Sequence, residues 1–169
     1  MKRSFKILMA ILVLIVVAFV AFLGWRVYKV NQQETLTGII QEAWERTQSD
    51  DMPEYMQYME MYSSFGVKKI EKGDPWVVTV HVWGVDLAEQ MRNIDPARFS
   101  AGTEERDLDE YLVSLVKKAD VTSVECIVYM YPREDGFRVQ FTETFVDAMS
   151  GMVLTYAREM AQEAVRGAR

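Results

Sequence analysis

The sequence predicts an α+β fold: an apolar amino-terminal helix that crosses a membrane, then one exported domain. In that domain a four-stranded antiparallel sheet is packed by helices and closed by a long carboxy-terminal helix. Three observations carry this. An uncharged run from Ile7 to Trp25 precedes a strongly acidic remainder. Two pairs of alternating apolar and polar segments are each broken at a Gly/Pro-containing turn, the pattern of two β-hairpins. Segments with apolar residues at helical spacing lie before, between and after those pairs.

The run "ILMAILVLIVVAFVAFLGW" has 19 residues, 7 to 25. At the helical rise it extends about 28 Å, against the ~30 Å hydrocarbon layer of a bilayer. A cleaved signal has a shorter apolar stretch and small residues at its cut site. Here the exit reads Ala21-Phe22-Leu23-Gly24-Trp25-Arg26, with bulky side chains where small ones are needed. Trp25 and Tyr28 suit the headgroup level, where an amphipathic ring keeps its polar tip in water. The expected organisation is therefore a basic cytoplasmic start (1–6), a signal anchor in the lipid bilayer (7–25) and an extracytoplasmic domain (31–169). Lys2, Arg3 and Lys6 before the span, against Arg26 and Lys29 after it, orient the amino terminus inward.

The charge distribution follows the same division. All 25 Asp and Glu lie after position 30, where they face 14 Lys and Arg, so the expected exported part carries −11. Such a surface repels nucleic acid, which is excluded as a partner. Cys126 is the only cysteine, which rules out an intramolecular disulfide, and there is no Asn-x-Ser/Thr acceptor. These absences fit a bacterial envelope.

Leu36, Ile39, Ile40, Ala43 and Trp44 continue the span as an amphipathic helix to about 48. Asp51 and Glu54, with Pro53 in the first turn, open a short helix over about 52–63. The segment 65–86 reads as the first hairpin, turning at Gly73-Asp74-Pro75. Asp86 and Glu89 repeat the capping-box spacing and start a helix to Arg92. Residues 93–106 form the longest loop. "DLDEYLVSLVKKA" is amphipathic, with Leu108, Tyr111, Leu112, Leu115 and Val116 on one face and an Asp107–Glu110 capping box. The second hairpin joins "TSVECIVYMY" to "GFRVQFTET" at Pro132–Gly136. One helix from Phe145 closes the chain, with Phe145, Met149, Met152, Val153, Tyr156 and Met160 as its buried stripe.

Period-two alternation sorts the strand residues. Trp76, Val78, Val80 and Val82 share a core face with Val124, Cys126, Val128 and Met130, and with Phe137, Val139 and Phe141. The opposite face holds Thr79, His81, Trp83, Tyr129, Tyr131, Gln140 and Thr142. A Cys126–His81 nucleophilic pair would have to pass through the sheet, so Cys126 is expected to be buried and inert. Thr79, His81, Trp83, Tyr129, Tyr131 and Gln140 combine aromatic area with hydrogen-bonding groups, as ligand- and partner-binding surfaces do. The competing expectation is that the helix over 35–48 covers part of this face.

Other clusters are weaker. Met52, Met56, Met59 and Met61 could offer thioethers to Cu(I), but the interleaved Tyr55, Tyr58 and Tyr62 point to a packing or partner surface. "TEERDLDEY" lacks the glycine and closing glutamate of a calcium loop. No metal, cofactor or catalytic constellation is expected. The sequence implies a membrane-anchored, protein-binding accessory or assembly component of a bacterial envelope. A tethered receptor for a small ligand or peptide on the aromatic face is the alternative, and a hydrolase using His81 and Glu125 is a distant third. Mass spectrometry of the membrane-extracted chain is expected to find residues 1–25 attached; a mature start between 19 and 30 would refute the anchor.

Overall fold

A computed structural model describes residues 2–48, 52–94 and 105–167. Among these the order is α1 (Lys2–Glu45), α2 (Glu54–Met61), β1 (Ser64–Glu71), β2 (Trp76–Val85), α3 (Leu87–Arg92), α4 (Glu105–Val116), β3 (Val121–Arg133), β4 (Gly136–Phe141), α5 (Glu143–Met149) and α6 (Val153–Gly167). The fold is mixed α and β, with one four-stranded antiparallel sheet in the order β1-β2-β3-β4. Asp51 and most of the expected 93–106 loop lie outside the described residues.

The expected span and the expected first domain helix are one helix, α1, of 44 residues. No proline interrupts it, and Gly24 and Gly38 are the only glycines within it. Its apolar part is long enough to cross a membrane, and among the described residues its side chains from Leu14 to Val30 stand exposed. Beyond it the periodicity changes: Leu36 and Ile40 are buried and Trp44 half-buried, on one stripe that meets the sheet.

β2 and β3 form the central ladder, paired from Trp76↔Met130 to Val85↔Val121. Burial alternates as the period-two pattern requires. Val78, Val80, Val82, Cys126, Val128 and Met130 are buried on one face, while their sequence neighbours are half-buried or exposed. In β1 the register slips between Val67 and Lys69, which leaves Lys68 as a bulge. Gln33 Nε2 donates to the Lys68 carbonyl at 2.9 Å, and the Val67 N–H donates to Thr37 Oγ1 at 3.2 Å. Residues four apart on α1 thus satisfy the backbone that the bulge frees along this edge.

α5 crosses the same face and drives Phe145 to the centre of the core, fully buried. Gly84 permits this approach. A Cβ there would lie 2.8 Å from the Ala148 carbonyl oxygen. Around Phe145 stand Trp44 (5.5 Å between ring centroids), Phe65 (5.4 Å) and Phe141 (4.8 Å). A second apolar cluster of Met59, Val85, Leu87, Leu115 and Val116 holds α2, α3 and α4 at one end of the sheet.

Helix ends depart from the expected capping boxes in two of three cases. At α3 the Asp86 carboxylate accepts from Glu89 N at 3.0 Å, as the spacing predicts. At α2 the cap position is Pro53, which cannot supply one, and Asp109 of α4 accepts from Glu54 N (3.2 Å) and Tyr55 N (3.3 Å) instead. α4 begins at Glu105, so Asp107 lies inside the helix and not at its cap. Burial and the neighbouring Asp109 carboxylate raise the Tyr55 hydroxyl above its ordinary value.

The expected single closing helix is two. The chain breaks at Ser150-Gly151-Met152, where Gly151 (φ +69°) and Met152 (φ +62°) enter the left-handed region. Apolar spacing continues across the break and conceals it in the sequence. Phe145 and Met149 are buried, but Met160 of the expected stripe is 48 % exposed. The buried Asp147 compensates the start of α6, accepting from Leu154 N (2.8 Å), Thr155 N (3.3 Å) and the Thr155 hydroxyl (2.5 Å). Asp147→Ala is expected to cost about 1–3 kcal/mol in denaturant unfolding, by removing a cap and orphaning these donors. Amide exchange at Leu154 and Thr155 should accelerate with it; unchanged exchange would show that α6 does not depend on this carboxylate.

Candidate functional site: the open face of the sheet

Leu36, Ile40 and Trp44 put α1 against the Cys126 face, so α1 does not lie over the opposite face. The expectation that the 35–48 helix covers that face is therefore corrected. Parity set the choice, because the buried face offers Phe65 and Val67 of β1 and the alternating Val78, Val80 and Val82 of β2 as an apolar bed, and the residues between them do not. The face that stays open carries Thr79, His81, Trp83, Tyr129, Tyr131 and Gln140, together with Lys68, Lys69, Glu125, Ile127 and Arg138.

The six expected site residues share this face but do not form one cluster. Trp83 pairs with Ser123, whereas Tyr129 pairs with Val77, six positions back along β2. At the strand rise this is about 20 Å. At one end the His81 and Trp83 rings stack, with centroids 4.4 Å apart and planes inclined by 19°. Gly66, opposite His81, leaves the space beside Trp83, whose Cζ3 would be 3.8 Å from a Cβ at that position. Trp83 is 41 % exposed. At the other end Tyr129 faces Gln140, and the Tyr131 hydroxyl donates to Gln140 Oε1 at 3.1 Å. Thr79 and Ile127 lie between the two ends, paired with each other.

Glu125 is directly opposite His81, as an acid–base pair would require. Its carboxylate is engaged by the Lys68 ammonium, which reaches across from the β1 bulge. That hydrogen bond and the ammonium charge, with a smaller contribution from His81, hold the Glu125 carboxyl below the usual range. A carboxylate so held stays charged and is a poorer proton acceptor. Thr142, also expected on this face, has a local task. Its hydroxyl donates to the Ile127 carbonyl (2.6 Å) and accepts from Phe145 N (3.4 Å), capping α5.

Cys126 is buried on the other face, with Sγ 3.5 Å from the Thr144 carbonyl oxygen. Burial first, and the Asp147 carboxylate second, push its thiol up to about 11. The thiol is thus protonated and shielded.

One cavity escaped the sequence reading. It occupies about 280 Å³ between α1, α2 and α5, lined by Trp44, Met52, Met56, Met59 and Met149 among others. Three of the four clustered methionines reach it, while Met61 is 73 % exposed. Met149 comes from ninety or more residues away, a proximity no spacing could signal. The walls are mainly thioether and ring carbon, and no cluster of His, Cys, Asp or Glu able to hold a metal occurs among the described residues. No protein-family model, curated protein or solved structure matches this chain.

Thiol labelling checks the sidedness of the sheet. Native Cys126 is expected to react with a bulky disulfide reagent at neutral pH at least a hundredfold more slowly than in denaturant; equal rates would contradict its burial. The raised thiol has a pH consequence with a definite sign. Above the ordinary thiol value the unfolded chain loses this proton before the folded one, so stability present at neutral pH falls between about pH 8.5 and 11. Cys126→Ser should flatten that part of the profile.

Proposed function

We propose that the chain is a membrane-anchored, extracytoplasmic domain that binds a protein partner, as an accessory or assembly component of a bacterial envelope. The open sheet face is its docking surface. The observation that carries this reading is the division of labour across the sheet. One face is filled by α1 and α5, while the other leaves two aromatic ends about 20 Å apart with an ion pair between them. Anchoring by α1 supports the cellular side of the reading, since the apolar side chains from Leu14 onward are exposed among the described residues.

The spread of the face favours an extended or flat partner over a compact small molecule. A small ligand is held by converging groups in a concavity. Here the aromatics diverge toward opposite ends, as anchors of a macromolecular interface do. A peptide of six or seven extended residues would span them, which keeps the peptide form of the receptor reading as the second choice.

Trp83→Ala in the full-length chain is the discriminating variant. Recovery of the partner from crosslinked membranes is expected to fall at least tenfold, as truncation of an interfacial tryptophan typically costs ~2 kcal/mol or more. Its melting temperature should change far less than that of Phe145→Ala, which removes the centre of the core at ~3–5 kcal/mol. Full partner recovery with Trp83→Ala would refute the docking role of this face.

A further inference from the structure

We propose that the domain is seated on the bilayer through its two strand turns, 72–75 and 132–136, which contact zwitterionic phospholipid headgroups. This rests on α1 being the membrane anchor, and it goes beyond that reading by fixing which surface of the domain faces lipid.

The argument is one of height. α1 continues unbroken from the apolar run into the domain, so distance along it measures distance from the membrane. Trp25 closes the apolar run, and Gln33 lies eight residues, or about 12 Å, farther out. Gln33 is bonded to Lys68 and Thr37 to Val67, so β1 runs antiparallel to α1 and back toward the span. Glu71, three residues past Lys68, regains up to about 10 Å of that height. The headgroup layer on each side is about 5–7 Å thick. The β1–β2 turn therefore arrives at the headgroups. The β3–β4 turn lies at the same end, since Arg133 is three residues beyond Met130, the partner of Trp76.

The chemistry of this end suits that position. Trp76 and Phe137 meet edge to face at 5.0 Å and line a groove of about 350 Å³ with the stretch of α1 from Tyr28 to Ile39. The Lys72 ammonium lies 5.0 Å above the Trp76 ring, as Lys29 lies 5.5 Å from Trp25 on α1. Aromatic rings beside cations are the usual furniture of a lipid–water boundary. The turns also carry Asp74, Glu134 and Asp135 beside Lys72 and Arg133, all five exposed. A purely anionic surface would repel three of these five. Headgroups that carry both a phosphate and an ammonium satisfy both signs.

Nitroxide labels at Asp74→Cys, Glu134→Cys, Ser123→Cys and Ala21→Cys test this in the full-length chain, with Cys126 shielded. The chain is placed in nanodiscs of phosphatidylcholine and phosphatidylethanolamine, and collision with oxygen is compared with collision with a polar nickel complex. Ala21 should report hydrocarbon and Ser123, about 23 Å farther out along β3 than Met130, should report water. Positions 74 and 134 should show nickel accessibility at least threefold below that of Ser123. If they match Ser123 while Ala21 is in hydrocarbon, the seating is overturned and the anchor stands. If Ala21 reports water, the anchor and the seating fall together. Replacing a third of the lipid with phosphatidylglycerol should leave both depths unchanged; deeper immersion would overturn the zwitterionic assignment.

Discussion

Phe145 is the joint on which the rest of the chain depends. Its ring is in contact with Trp44 of α1, Phe65 of β1 and Phe141 of β4, and it arrives on α5. Four elements from three parts of the sequence meet at one fully buried side chain. Edge-to-face and offset contacts of this kind add about 0.5–1.5 kcal/mol per pair beyond burial, and they fix relative orientation as well. Because α1 is held here, the orientation of the whole sheet relative to the apolar run is fixed by the same contact. The rotational freedom of the domain about the apolar part of α1 is settled by packing, with no linker in between.

The sidedness of the sheet follows from that joint. The aromatic cluster and the valines of β2 and β3 claim α1 and α5 together, so no helix among the described residues remains to cover the opposite face. What covers the other end is a smaller group of helices, α2 to α4, tied by side chains from unexpected places. Asp109 caps α2 from α4, and the Lys117 ammonium lies 4.4 Å above the Tyr58 ring.

The features legible in the sequence were those set by period. The valine alternation in β2, the alternation around Cys126 and the stripe Leu36–Ile40–Trp44 each has a spacing that one element imposes on itself. The break at Ser150–Met152 was not legible, because apolar residues at helical spacing continue through it and its stabilising Asp147 sits three residues before the turn. Nor was the separation of Trp83 from Tyr129. Parity assigns a face, but position along that face depends on the register between β2 and β3, which the long α3–α4 connection leaves unspecified. The competition for Glu125 was hidden for a related reason. Lys68 reaches it only because a bulge shifts β1 by one residue.

The bulge at Lys68, with Gln33 and Thr37 bonded to it, has a consequence for how many copies of this chain can coexist. An unsatisfied strand edge is a template onto which another chain can add. Proteins confined to a bilayer meet one another in two dimensions with their orientations already aligned, which makes such addition easier than in solution. Here one edge of the sheet is kinked and partly occupied by side chains of α1, and the other is a strand of only six residues that turns at once into α5. The edge strands are thus blunted on both sides, although β3 runs on beyond β4 over Val121–Ile127. Copies anchored as proposed could associate through side chains with less risk of running their edge strands into a continuous ribbon.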